Sequence, residues 1–311
     1  MRPSDAARLV LLAAIWGSSF LMIKLALRAL GPLQIVAGRL VIGAAVLVVL
    51  LRVTGTALPR GAGVWGALVF MAAFSNIVPF ALITWGEERI SSGLTSILNS
   101  TTPLFTAALA AAFLPQERPT AARWLGVGIG FSGVVVIVGA EPEAAKLVGE
   151  LAVVVASLSY GIGFVFARRF LSGAAMKPLA MPAGQLLVGS VIMLPVAGWE
   201  AAVAPPDLSA MAVAAMGVLG GLGTGLAYVL FYRLIQDVGA TSTSFVTYLI
   251  PIFGVAIGWL VLGERLGPNA IGGTALVIAG IALAERAARR AATESRAAEV
   301  SYAGERVDPT R

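Results

Sequence analysis

Runs of about twenty apolar residues, separated by short polar gaps, constrain this chain more than any other feature of its sequence. In lipid every backbone N–H and C=O must be bonded within the protein, so each such run reads as a membrane-crossing helix. The runs fall at 8–29, 34–52, 63–85, 91–114, 120–139, 147–168, 178–198, 209–234, 240–262 and 268–286. Pro32, Pro59, Pro119, Pro142, Pro178, Pro205, Pro206 and Pro268 lie in the gaps, where helix breakers belong. Only 12% of the 311 residues are charged, about half of the ~25% usual in a soluble domain. The expected fold class is an all-α polytopic membrane protein with ten transmembrane helices. The first run is expected to stay as an uncleaved span, because it continues past Trp16 to Met22.

The charges set an orientation. With the N-terminus cytoplasmic, the inner side collects Arg2, Arg8, Arg52, Arg60, Arg118, Arg123, Arg168, Arg169, Lys177, Arg233 and the arginines after residue 286. The outer side keeps Arg28, Arg89, Lys146 and Arg265, so both termini are expected in the cytoplasm. The net charge of +6 is thereby a topology signal, and no nucleic-acid partner is expected. The partners expected are a small-molecule substrate and the lipid bilayer, with the chain a monomer or homodimer.

One apolar run carries a polar, Pro-broken stretch, "TSILNSTTPLF" at 95–105, and "TSFVTYLIPIF" at 243–253 repeats it. Thr95 and Ser96 match Thr243 and Ser244, Asn99 matches Thr247, and Pro103 with Phe105 match Pro251 with Phe253. "WGSSF" at 16–20 answers "YGIGF" at 160–164, "QER" at 116–118 answers "GER" at 263–265, and Gly126 and Gly133 align with Gly273 and Gly280. All offsets lie between 144 and 148, so two copies are expected: residues 1–142 and 147–286, followed by a disordered cytoplasmic tail at 287–311. Five spans per copy is an odd number, so the second copy enters from the opposite side. Inverted-topology repeats of this kind are a recurring transporter architecture.

Taken together, these motifs resemble the EamA family of the drug/metabolite transporter superfamily, over residues 8 to 286. The resemblance implies a ten-helix inverted-repeat transporter of the inner membrane, often exporting amino acids or other small metabolites. YddG-type amino-acid exporters are one subgroup of it, and no residue here separates them from their relatives.

The residues themselves suggest where a solute would sit. Ser92, Thr95, Ser96, Asn99, Thr102 and Thr106 share one helix face, as do Ser244, Thr247 and Pro251. Pro103 and Pro251 each remove a donor, and the carbonyls near Asn99 and Thr247 are expected to face a central cavity. The plainer reading is that small hydroxyls join helices together. Asn76, Phe80 and Thr84 form a second face, and Thr224, Tyr228 and Tyr232 its counterpart. Tyr248, Trp16 and Tyr160 could wall the cavity or simply pack. Lys24, Arg39, Glu87 and Glu88 lie near the outer ends of their helices and are expected to form an outer gate, or to snorkel to headgroups. Glu117 and Glu264 are expected to tie helix ends to neighbouring loops.

Several functions are disfavoured. The chain has no cysteine and no histidine, which removes the usual metal-ligand sets, so no metal and no cofactor are expected. "GIGFSG" at 128–133 fits a dinucleotide pattern but lies in an apolar span with no strand before it. Without phosphate loops or catalytic groups, an enzyme is not expected. Glu87 and Glu88 are the only marginal proton carriers. With no charge placed at mid-depth, neutral, zwitterionic or cationic aromatic solutes are favoured over phosphates. The function expected is a secondary transporter exporting or exchanging small organic solutes by alternating access. The alternatives are a channel and a sugar-phosphate or nucleotide-sugar exchanger.

Overall fold

A computed structural model describes residues 2–114, 120–138, 143–171 and 177–307, and among them there are helices and turns but no strand. The helices are α1 Pro3–Ala26, α2 Pro32–Val53, α3 Ala62–Glu87, α4 Ser92–Phe113, α5 Ala121–Val138, α6 Ala144–Phe170, α7 Ala180–Val203, α8 Ala210–Gly239, α9 Val246–Leu262 and α10 Pro268–Val307. Among the described residues, nine helices have stretches long and apolar enough to cross a membrane. The remaining one, α9, is apolar but only 17 residues long. Pro3, Pro32 and Pro268 open α1, α2 and α10, where a missing N–H costs no helix bond. Ser91 and Ser209 cap α4 and α8, each accepting a backbone N–H three residues on.

Many large apolar side chains face outward, with Val135, Val191 and Leu260 each at least 70% exposed. Such a surface suits lipid and would be a liability in water.

Three features depart from the sequence reading. The ninth helix begins at Val246 rather than 240, because Gly239 at φ +82° and a turn at 244–245 interrupt the chain first. Pro251 then lies inside a continuous helix, whereas α4 is broken at Ser100–Thr101, just before Pro103. The two polar segments are thus bent at different points. The segment expected to be a disordered tail instead continues α10 as far as Val307, being rich in the helix formers Ala, Arg and Glu.

Both α3 and α8 widen into π-helical turns, at Ala73–Ile77 and Val218–Leu226. In the register of the two copies these segments coincide. π-turns inside α-helices are frequent at functional sites.

Several close helix approaches come in exchanged pairs. Gly17 lies against Phe253, and Gly161 against Phe105. Gly43 lies against Leu186, and Gly189 against Leu40; Gly126 meets Gly280, and Gly133 meets Gly273. In the register of offsets 144 to 148, each pair becomes its partner when the copies are swapped.

Candidate substrate site and its closed end

In the polar stretch at 95–105 the hydroxyls turn back onto their own helix. Thr95 donates to Ser91 O, Ser96 to Gly93 O, Ser100 to Ile97 O and Thr101 to Leu98 O. The carbonyl of Asn99, expected to face a cavity, accepts from Thr102 Oγ1 at 2.9 Å and from Ser157 Oγ at 3.4 Å. Ser157 also reaches Leu98 O, at 3.1 Å. Hydroxyls repairing a broken helix are what apolar surroundings demand. The Thr95 hydroxyl proton is thus held by its own helix, and the Asn99 carbonyl accepts from two hydroxyls rather than standing bare. The Asn99 side-chain Oδ1 is buried with no partner among the described residues. Ser157 went unnoticed in the sequence, where it is one serine among the small residues of an apolar run.

The sharper cluster lies between α2, α3 and α8. Arg39 on α2 turns into the bundle: its Nε donates to Thr224 Oγ1 at 2.8 Å, and its guanidinium lies 3.7 Å from the centre of the Phe80 ring. Thr224 is the fifteenth residue of the 30-residue stretch Ala210–Gly239, so the charge reaches the middle of α8. One turn further along both helices, Asn76 Nδ2 donates to the Tyr228 hydroxyl at 3.2 Å. Phe80 meets the edge of Tyr160, with ring centres 6.5 Å apart. Asn76 and Phe80 of one expected face and Thr224 and Tyr228 of the other are thus brought together, with Tyr160 beside Phe80, and Arg39 joins them rather than an outer rim. The expectation that no charge stands at mid-depth is corrected by the same observation.

The widened turns need hydroxyl partners of their own. Ser159 Oγ donates to Phe74 O at 2.8 Å, and Thr224 Oγ1 donates to Leu219 O at 3.0 Å. Held in this way, the Thr224 oxygen is aimed at Arg39.

Beside this cluster is a cavity of about 370 Å³, lined by Trp16, Thr102, Pro103, Thr106, Phe164, Phe231, Ser244 and Thr247 among others. Its rim carries Arg168, which is exposed, and Glu285, at the bundle end where Arg8 pairs with Asp237 at 2.8 Å. Phe164 stacks on Tyr160 with centres 6.4 Å apart, and Phe231 meets Tyr232, which lies 6.5 Å from Tyr228. Trp16 packs on Phe231 at 5.4 Å. An aromatic layer therefore separates the cavity from the Arg39 cluster. Pro251 is buried, and neither it nor Tyr248 lines this cavity.

The opposite end is tied shut. Lys24 Nζ donates to the main-chain oxygens of Glu87 and of Ile90, the latter at 2.8 Å, beside the C-terminal end of α3. A cation is favourable there, where helix carbonyls lack partners. Glu264, just past α9, accepts from Ser92 N at 2.9 Å, Ser92 Oγ at 2.8 Å and Gly93 N at 3.0 Å, capping α4 with a negative charge. Its proposed counterpart Glu117 lies outside the described residues. Of the four residues expected at an outer gate, Lys24 and Glu87 meet, through the main chain. Glu88 sits on the surface, paired with Arg89 at 2.9 Å. The Glu87 side chain is fully buried, and neither carboxylate oxygen has a partner among the described residues.

An all-helical membrane bundle enclosing a polar and aromatic cleft is the build of a multi-pass transporter. The chain belongs to the EamA-like transporter family, whose model matches residues 6–139 and 147–285. It is 28% identical to the uncharacterized transporter YoaV of Bacillus subtilis, over 86% of this chain and 91% of that one. A probable terminal-alkyne amino-acid exporter of Streptantibioticus cattleyicolor is 28% identical, over 89% of this chain and 92% of that one. One crystal structure, 21% identical, has the same fold with a TM-score of 0.64, covering 93% of this chain and all of the other.

Proposed function

We propose that the protein is a secondary carrier exporting or exchanging small organic solutes, amino acids or related metabolites, across the inner membrane. Residues 1–142 and 147–286 form its two inverted halves, and a site between them is exposed alternately to either face. The observation that carries this reading is the asymmetry of the cleft: a cavity enters from one end as far as the aromatic layer that covers the Arg39 cluster, while Lys24 and Glu264 tie the other end. The exchanged contact pairs support two halves related by a two-fold axis in the membrane plane. The Lys and Arg bias supports both termini in the cytoplasm, which turns the cavity inward, the loading side of an exporter. The similarity to an amino-acid exporter supports the solute class. No metal or nucleotide is invoked.

The test is uptake into proteoliposomes against a panel of amino acids, amines and sugar phosphates. Saturable uptake of at least one class is expected from the native chain. Tyr228→Ala, which removes both a ring and the acceptor of Asn76, is expected to lower it by about tenfold or more while the protein stays monodisperse. Unsaturable conductance would replace the carrier by a pore.

A further inference from the structure

We propose that Arg39 is the carboxylate-binding residue of the transport site, so that the solutes carried are small organic acids bearing a neighbouring hydrogen-bond donor. This rests on the reading of the protein as a carrier. Arg39 is only 8% exposed, deep in an apolar bundle where a cation is costly to place and needs a reason to be there. Among the described residues no carboxylate stands within ion-pair distance of it. Thr224 holds Nε and Phe80 covers one face of the guanidinium. These contacts orient the group without using its terminal fork, for among the described residues no acceptor bonds Nη1 or Nη2. Two parallel N–H groups are the geometry that matches a carboxylate bidentately.

The neighbourhood adds a second point of recognition. Asn76 is fully buried, gives its amide nitrogen to Tyr228, and leaves Oδ1 with no partner among the described residues. It lies one turn from Phe80, the ring under the guanidinium, on the same face of α3, which puts this acceptor in the same cluster as the charge. A solute with an ammonium or hydroxyl next to its carboxylate would satisfy both. A phosphate dianion asks for more positive charge. The other cation nearest this end of the bundle, Lys24, is engaged by the Glu87 and Ile90 carbonyls.

The experiment compares each acid with the same molecule lacking the acid. Proteoliposomes of the full chain are assayed with phenylalanine, methionine and lysine, each against its amide, and with phenyl phosphate. Acids are expected to be taken up with at least tenfold higher efficiency than their amides, since a site built around a charged acceptor rejects analogues lacking it. Arg39→Gln is expected to bring acid and amide within about twofold, with Arg39→Lys in between. Should Arg39→Gln not fold, the acid-to-amide ratio of the native chain decides alone. Amides or phenyl phosphate carried as well as the acids would overturn the anchor and leave the carrier standing. Discrimination kept in a folded Arg39→Gln would do the same. Saturable uptake of none of these solutes would overturn the anchor, and the carrier reading falls with it only if amines and sugar phosphates are not taken up either.

Discussion

Replacing Gly280 by valine is expected to lower the melting temperature of the detergent-solubilised protein by roughly 5–10 °C. Gly280 on α10 faces Gly126 and Gly130 on α5, and a Cβ there would lie 2.6 Å from the Gly130 Cα. Helices in membranes associate largely through close packing, which small residues permit. Overpacking costs about 1–3 kcal/mol where side chains can yield. Here the obstacle is main chain, so the upper part of that range applies. At roughly 2–4 °C per kcal/mol the shift should be plain. Gly272→Ala, where a Cβ meets nothing within 4 Å, is the control and should not lower the melt, since Ala is the better helix former. Equal melting of Gly280→Val and the native chain would mean that α5 and α10 do not pack as described.

Loss of Glu264 should be at least as costly where water cannot reach the orphaned donors, and more informative about transport. Glu264→Ala strips an acceptor from two backbone N–H groups and one hydroxyl at the start of α4, with Ser92 fully buried. Each orphaned buried donor costs about 1–3 kcal/mol if water cannot reach it. The expected outcome is either a lower melting temperature or water entering the closed end. A cysteine placed at Thr95, fully buried behind this cap, separates the two. It should become reactive to a hydrophilic thiol reagent in the Glu264→Ala background. Glu264→Gln, keeping one acceptor but no charge, should fall between. An unchanged melt with an unreactive Thr95→Cys would remove Glu264 from the closure.

Much of the bundle is legible in the sequence. The prolines at 3, 32 and 268 open helices, and the polar break before Pro103 is where α4 bends. The periodicity also put Asn76 with Phe80 on one face and Thr224 with Tyr228 on another, and Asn76 meets Tyr228. What escaped it depends on distant partners. Rise along α2 places the Arg39 backbone near one end, but the direction of a long side chain is decided by Thr224, 185 residues away. In the hydroxyl stripe at 95–106 only Thr102 and Thr106 line the cavity, while Thr95, Ser96, Ser100 and Thr101 bond back to their own helix, a division the sequence does not reveal. The π-turns in α3 and α8 share no signature, one being AFSNI and the other the glycine-rich VLGGLGTGL. Pro251 has the same surroundings in sequence as Pro103, yet α9 stays helical through it, the bend having been taken by Gly239 and the following turn.

Alternating exposure is the centre of the account, and two-sided cysteine labelling tests it most directly. The native chain has no cysteine, so single reporters carry no background. Thr106→Cys lies in the cavity and Thr95→Cys behind the closed end. In oriented proteoliposomes without solute, Thr106→Cys should react with an impermeant reagent from the cavity side alone, and Thr95→Cys from neither. A gradient of transported solute should then expose Thr95→Cys to the other side while Thr106→Cys becomes less reactive. Simultaneous labelling of both from opposite sides, whatever solute is present, would mean a continuous pore and contradict the account.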